Sequence, residues 1–265
     1  MQSAGSAREW IAHDPDAFDR AELHSLLQAA EAGDLAAAEE LDDRMSGLLV
    51  FGTAGLRGAM GAGPHRMNTA VVSIATAGLC SVVREKAGDD FSVVVGFDAR
   101  HRSPEFARTV AGVVTAAGGR ALLLPHPPPT PMLAVAINHL KAEAGVMITA
   151  SHNPAPDNGF KVYLGGRVAS GSGRGVQLVN PMDEQIMAAM TAAGPADGIP
   201  VAAAGWHTLD ASTEDAYLAA ALAFNDWLAT LSDAPAEVSG LRVVLTAMHG
   251  VGADLASRVL RAVGV

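Results

Sequence analysis

Thr149-Ala150-Ser151-His152-Asn153-Pro154-Ala155-Pro156-Asp157-Asn158-Gly159-Phe160-Lys161 follows an apolar segment, Ala144-Gly145-Val146-Met147-Ile148, and leads into a second, Phe160-Lys161-Val162-Tyr163-Leu164. Short apolar runs on either side of a cluster of turn residues read as two strands and the loop between them. Ser151 then lies just past the carboxyl end of a strand, where open α/β sheets present their reactive groups. Asn153, Pro154, Pro156, Asn158 and Gly159 make the loop stiff and turn-rich. A serine held this way beside His152 and Lys161 suggests chemistry. A proline-rich connection with a capping serine accounts for the same residues without any.

Working outward, strand and helix patterns alternate. Residues 91–97 are β-branched and bounded by turns, and residues 121–124 form a short buried strand. Ser103-Pro104-Glu105 predicts a helix start, with the serine as cap and the proline in the first turn, and the helix ends near Gly118-Gly119. Asn68 or Thr69 caps a helix to about Lys86. Five prolines within residues 125–131 exclude regular structure there, and a helix follows over 132–141. This alternation predicts an α/β fold, a mixed and mainly parallel sheet sandwiched between helices.

Residues 7–48 carry helical apolar spacing and form an N-terminal arm, broken at Asp14-Pro15 and Gly33-Asp34. Residues 165–175 read as a mobile glycine–serine loop, Pro181 opens a helix, and residues 191–205 have linker composition. The expected division is a domain over 1–197, with the arm over about 1–48, and a second, incomplete α/β unit over 206–265. That unit reads as a helix over 212–231, a strand over 241–246, a turn over 248–252 and a helix to about Ala262.

Composition narrows the function. Hydrophobic residues make up 49% and charged ones 17% of the 265 residues, as in a packed globular protein. A net charge of −10 argues against nucleic-acid binding, which needs a basic face. Any phosphate site must therefore be locally basic, and only Lys86, Lys141 and Lys161 supply lysine. Cys80, the single cysteine, sits in an apolar helical pattern and reads as a buried structural thiol. The polar N-terminus lacks a signal-peptide core and no apolar run is long enough for a membrane span, so the expected location is the cytoplasm and no membrane partner is expected.

A second segment, Phe51-Gly52-Thr53-Ala54-Gly55-Leu56-Arg57-Gly58-Ala59-Met60-Gly61-Ala62-Gly63, sets Arg57 among five glycines. Glycines let backbone N–H groups approach an anion, and arginine adds a planar donor suited to phosphate. A plain glycine-rich surface loop is the alternative. With Arg66-Met67-Asn68, Gly96-Phe97-Asp98-Ala99-Arg100, residues 149–163 and His249-Gly250-Val251-Gly252, these segments resemble the α-D-phosphohexomutase superfamily, in its phosphoglucomutase/phosphomannomutase branch.

The resemblance implies a mutase that interconverts hexose 1-phosphate and 6-phosphate through a phosphoserine and a bisphosphate intermediate. It implies that Ser151 carries the phosphoryl group and contacts the metal through it, and that Lys161 shuttles a proton. His152 and Arg57 would stabilise charge, and Arg57, Arg100, His152 and Lys161 would bind phosphate. Arg100 paired with Asp98 reads equally well as an ion pair that fixes the loop, and His249 is similarly ambiguous. Asn153 and Asp157 shape the loop. Magnesium is the implied cofactor, a sugar 1,6-bisphosphate the activator and sugar phosphates the partners; self-association into a homo-oligomer would cover an open sheet edge.

The resemblance also implies a longer chain, with an Asp-rich metal loop, a sugar-selecting loop and a distal phosphate loop that do not occur in these residues. The 265 residues alone are therefore expected to be nearly inactive. The alternative is a non-catalytic sugar-phosphate-binding or interaction fragment derived from a mutase. A serine hydrolase is disfavoured, since adjacent Ser151 and His152 on an extended chain would project to opposite sides, and no G-x-S-x-G elbow is present.

Overall fold

In the computed structural model, which describes residues 2–52, 55–231 and 241–265, three helices open the chain. They are α1 (Gln2–His13), α2 (Ala17–Glu31) and α3 (Leu35–Arg44). The side chains of Asp16 and Asp34 accept N–H bonds from the first turns of α2 and α3, satisfying donors a helix start leaves free. Leu23, Leu27 and Leu41 pack with Ala4, Ala7 and Ala62 into a small core of their own. The expected helical arm is present. Thr53 and Ala54, in the glycine-rich segment, lie outside the described residues.

One mixed sheet forms the centre. Its strands are β1 (Phe51–Gly52), β2 (Gly55–Ala59), β3 (Ser92–Phe97), β4 (Arg120–Leu123), β5 (Ala144–Ile148), β6 (Asp157–Leu164), β7 (Val176–Gln177) and β8 (His207–Thr208). Their order is β1-β2-β6-β5-β3-β4-β8, with β7 paired to β6 off this path. β5, β3, β4 and β8 run parallel, whereas β1, β2, β6 and β5 pair antiparallel. The hairpin-like β5–β6 connection is therefore where the sheet changes direction, and it is the 149–156 segment.

Helices cover both faces. Val93, Val95, Val146, Ile148, Phe160 and Val162 point into a core shared with α4 (Thr69–Ala87), α5 (Ser103–Ala116) and α7 (Met182–Ala192). Val94, Leu122, Met147 and Tyr163 alternate to the other face and meet α6 (Thr130–Leu140) through Met132, Leu133, Ala136 and Ile137. Leu209, Tyr217, Leu218 and Leu255 extend that second core from β8 onward, with α8 (Ser212–Thr230) against α6 and α9 (Ala253–Ala262) against α8. Asn68 caps α4 by accepting the Val71 N–H at 2.8 Å. α4 is buried on most sides because it lies between α5 and α7. Cys80 belongs to it, and burial pushes its thiol up to about 12, the inert structural role expected.

Arg102 ties the arm to the turn that follows β3, as Arg66, paired with Glu40 and Asp43, ties it to the segment after β2. Arg102, at φ 60° just before α5, pairs with Asp16 at 2.7 Å, Asp19 at 2.9 Å and Glu105 at 2.8 Å. Its guanidinium also donates to the Thr69 hydroxyl and lies 5.0 Å from the Phe106 ring centre.

Three readings are corrected. Ser103 does not cap α5; its hydroxyl donates to Asp98 Oδ1 at 2.8 Å, and no side chain caps that helix. Residues 241–246 form no strand among the described residues: Leu241, Val243, Val244 and Leu245 are exposed, and β-propensity without a neighbouring strand leaves backbone groups unpaired. Asp157, Asn158 and Gly159, read as part of the loop, instead open β6 and pair with Ala59, Gly58 and Arg57 of β2, which holds them in the sheet. No described helix is long and apolar enough to cross a membrane.

Candidate active site

β5 carries the chain to Ile148, and the Thr149 N–H still pairs with Gly159 O at 3.0 Å before the strands part. The backbone then turns sharply. Ser151 has φ 60°, the left-handed region, which costs a side-chain-bearing residue about 1–2 kcal/mol. The Thr149 hydroxyl accepts the Ser151 N–H at 2.9 Å and donates to Asp98 Oδ2 at 2.6 Å. Asp98 is fixed in turn by the Ser103 hydroxyl and by the Arg100 N–H, which donates to its Oδ1 at 3.0 Å.

Arg100 holds the loop from the other side. Its guanidinium donates to the carbonyls of Ser151 at 2.8 Å, Asn153 at 2.9 Å, Pro154 at 2.9 Å and Asp157 at 3.1 Å. Its Nε lies 3.3 Å from Asp98 Oδ2, close enough for charge attraction but without a hydrogen bond. The loop is thus anchored on the turn that follows β3. Underneath, buried Asn158 donates to His101 O at 3.0 Å and to the Ser103 hydroxyl at 2.9 Å. Gly159 admits no other residue without a backbone shift, since a Cβ there would stand 2.6 Å from Thr149 O and 2.8 Å from Leu56 O.

Two cations lie beside the loop. Arg57 pairs across the strands with Gly159 and donates to Asn153 Oδ1 at 3.1 Å, and Asn153 donates to Asp157 Oδ2 at 2.9 Å. Lys161, two residues beyond Gly159, faces the same side of the sheet. Gly55, at φ +95°, passes beneath it, where a Cβ would come 3.0 Å from Lys161 Cγ. Burial, and after it the Arg57 charge, holds the Lys161 ammonium below the ordinary lysine range. A lysine so placed gives up its proton more readily.

Ser151 and His152 are exposed, with Ser151 Oγ 3.4 Å from His152 Nδ1. The expectation that these neighbours project apart is corrected: it assumed an extended chain, and the left-handed turn at Ser151 brings them to the same side. Among the described residues no carboxylate hydrogen-bonds His152, so the third member of a hydrolase triad is missing.

The predicted residues therefore gather unevenly. Ser151, His152 and Arg100 meet directly, and Arg57 reaches the loop through Asn153. Lys161 joins through Arg57, with no hydrogen bond to Ser151 among the described residues. His249, in the exposed turn after residue 247, makes no hydrogen bond to the loop among them. Sequence reasoning missed the Asp98–Thr149–Ser151 relay and the buried Asn158; a threonine two residues before the serine was the available signal for the first.

Among the described residues no three of His, Cys, Asp or Glu group as metal ligands. The carboxylates joined to the loop, Asp98 and Asp157, already accept bonds from Thr149, Ser103 and Asn153. These residues alone do not fit a resident magnesium ion. What they present is an exposed hydroxyl on a rigid loop beside cationic side chains, an arrangement suited to a phosphoryl group.

A family model described as "Phosphoglucomutase/phosphomannomutase, alpha/beta/alpha domain I" matches residues 48–196. A "Probable phosphomannomutase" of Haemophilus influenzae is 40% identical over 201 residues, 75% of this chain and 38% of that protein. "Phosphoribomutase" of Saccharomyces cerevisiae is 44% identical over 151 residues, 56% of this chain and 23% of that one. Among solved structures, a "putative phosphomannomutase" from Thermus thermophilus superposes with a TM-score of 0.64 at 30% identity, covering 81% of this chain and 43% of that one. The chain thus spans well under half the length of these relatives.

Proposed function

The chain belongs to the phosphoglucomutase/phosphomannomutase family, and from that premise we propose that it supplies the phosphoryl-carrying site of a phosphosugar mutase, with Ser151 as the carrier. The observation that supports this reading is the Ser151 turn itself. A left-handed serine, fixed through its N–H by Thr149 and through its carbonyl by Arg100, turns its hydroxyl to solvent.

A phosphoserine needs charge neutralisation and in-line placement rather than a base to activate it. As transfer proceeds, the phosphorus–Ser151 Oγ bond breaks and a bond to a sugar hydroxyl forms. The hydroxyl proton passes to the deprotonated fraction of Lys161, which burial and the Arg57 charge enlarge, and the departing serine oxygen regains one from His152 or water. Arg57 offers charge to the moving phosphoryl group. Arg100 acts by positioning the loop. Magnesium, with carboxylates from outside the described residues, would supply further charge to the phosphoryl oxygens, and a sugar 1,6-bisphosphate would prime the serine. The site would work in the cytoplasm.

A hexose phosphate, exchanged between its 1- and 6-positions, is the substrate we favour. A pentose phosphate is the second reading, because a relative at 44% identity is named a phosphoribomutase. Mass spectrometry of the protein isolated from its own cells tests the carrier: phosphate on Ser151, absent in Ser151→Ala, is expected. Phosphate found only at other residues would overturn it. Offering dephosphorylated protein labelled hexose 1,6-bisphosphate or pentose 1,5-bisphosphate, and following label into Ser151, separates the two sugars.

A further inference from the structure

The opposite end of the sheet carries a second cationic feature. Lys141, Arg167 and Arg174 line one groove of about 560 Å³ together with Ile137, Asn138, Glu143 and Gly166. Three cations against one carboxylate is a reversal of sign in a chain of net charge −10. The carboxylate is moreover internally satisfied. Glu143 is buried, accepts the Ser92 N–H at 2.8 Å and hydroxyl at 3.1 Å, and takes Arg167 Nε at 2.7 Å.

The groove's donors are held but not exhausted. Arg167 is steadied by Glu143 and Asp90 O, and Arg174 Nε donates to Gly166 O and Ala169 O at 3.2 Å each. Among the described residues the terminal nitrogens of Arg174 and the Lys141 ammonium make no hydrogen bond. Lys141 is the left-handed cap of α6, at φ 53°, which turns the chain where the groove opens. The 165–175 loop that brings the two arginines is closed by Gly175 N–H on Leu164 O at 2.7 Å.

We propose that this groove is an anion site for a small phosphorylated metabolite, separate from the Ser151 loop. β5 stands between them: the groove lies at the strand's amino end and Ser151 past its carboxyl end. Five residues at about 3.3 Å each put roughly 15 Å or more between the two sites. Arg174, braced by the carbonyls of Gly166 and Ala169, and Arg167, braced by Glu143 and the Asp90 carbonyl, suit phosphate oxygens better than a flat surface would, because the forks are oriented before the ligand arrives.

Inorganic phosphate is the probe, added to the 15N-labelled protein at low ionic strength. Saturable shifts of the amides of residues 165–175 are expected, persisting in Arg57→Gln, which should weaken any phosphate binding beside Ser151. Lys141→Gln combined with Arg174→Gln should weaken binding at this groove at least tenfold, while Lys141→Arg keeps it. Both residues are exposed, so the variants should fold, as unchanged circular dichroism would confirm. Shifts confined to residues 149–161, or equal affinity in the double variant, would overturn the site without touching the Ser151 reading. Loss of Ser151 phosphate with the groove intact would overturn the latter alone.

Discussion

Arg100 donates to the carbonyl of Ser151 at 2.8 Å, across 51 positions of sequence. A positively charged donor on that carbonyl, and three more on the carbonyls that follow it, let a non-glycine residue keep a backbone angle it would otherwise avoid. The reactive turn is therefore a property of two chain segments.

Removing that donor should loosen the loop before it affects the rest. Arg100→Met leaves four carbonyls without their partner and should cost about 2–4 kcal/mol in chemical denaturation. Hydrogen exchange should quicken first at residues 151–157. Arg100→Lys should recover less than half the loss, since an ammonium cannot reproduce the planar fork.

Ser151 should show its strain in a comparison of two replacements. Ser151→Gly is expected to be more stable than Ser151→Ala by about 1 kcal/mol, because glycine alone adopts φ 60° freely. Equal midpoints would mean the turn relaxes in solution.

Lys161 should trade stability against chemistry. Its amine holds a proton less firmly in the folded chain than in the unfolded one, so the charged form penalises folding. That penalty is full below the lowered folded value and fades as pH rises through it toward the ordinary 10.5. Lys161→Met should therefore melt higher than the parent at pH 7, with the gap closing toward pH 10.5. Turnover, where the mutase reaction is assayed, should fall by about 10²–10⁴ with loss of the proton carrier.

Glu143 behaves with the opposite sign. Burial works to raise its carboxyl, but the Arg167 and Ser92 bonds together prevail and hold it below 4.5. Its contribution is full above the unfolded value of 4.5 and is lost as pH falls through the lower folded one. Glu143→Gln should destabilise by about 1–3 kcal/mol at pH 7, and urea midpoints of the two proteins should converge in acid.

Much of this was legible in residues alone. The 144–148 strand and the proline-rich loop appear as the pattern required, because local turn chemistry and β-branching act within a few residues, whereas the second strand begins at Asp157, three residues before the apolar run, because β2 pairs with it there. The glycine at 159 was readable as punctuation, though not as the spacer between two strands. Residues 241–246 misled for a physical reason: strand propensity states a preference, and pairing decides it. The Ser103 hydroxyl was assigned to a helix end because capping is local, whereas Asp98 claims it from five residues away. Likewise nothing near Arg100 in the chain reveals that its partners lie beyond residue 150.

The turn between β3 and α5 sends Arg100 toward the serine loop and Arg102 toward the N-terminal arm. Anyone transplanting the serine loop onto another scaffold would have to carry both segments, 98–103 and 149–161, as one portable unit. Trimming the arm to make that unit smaller would strip Arg102 of Asp16 and Asp19, leaving Glu105 as its sole acidic partner among the described residues, in the same turn that grips the loop.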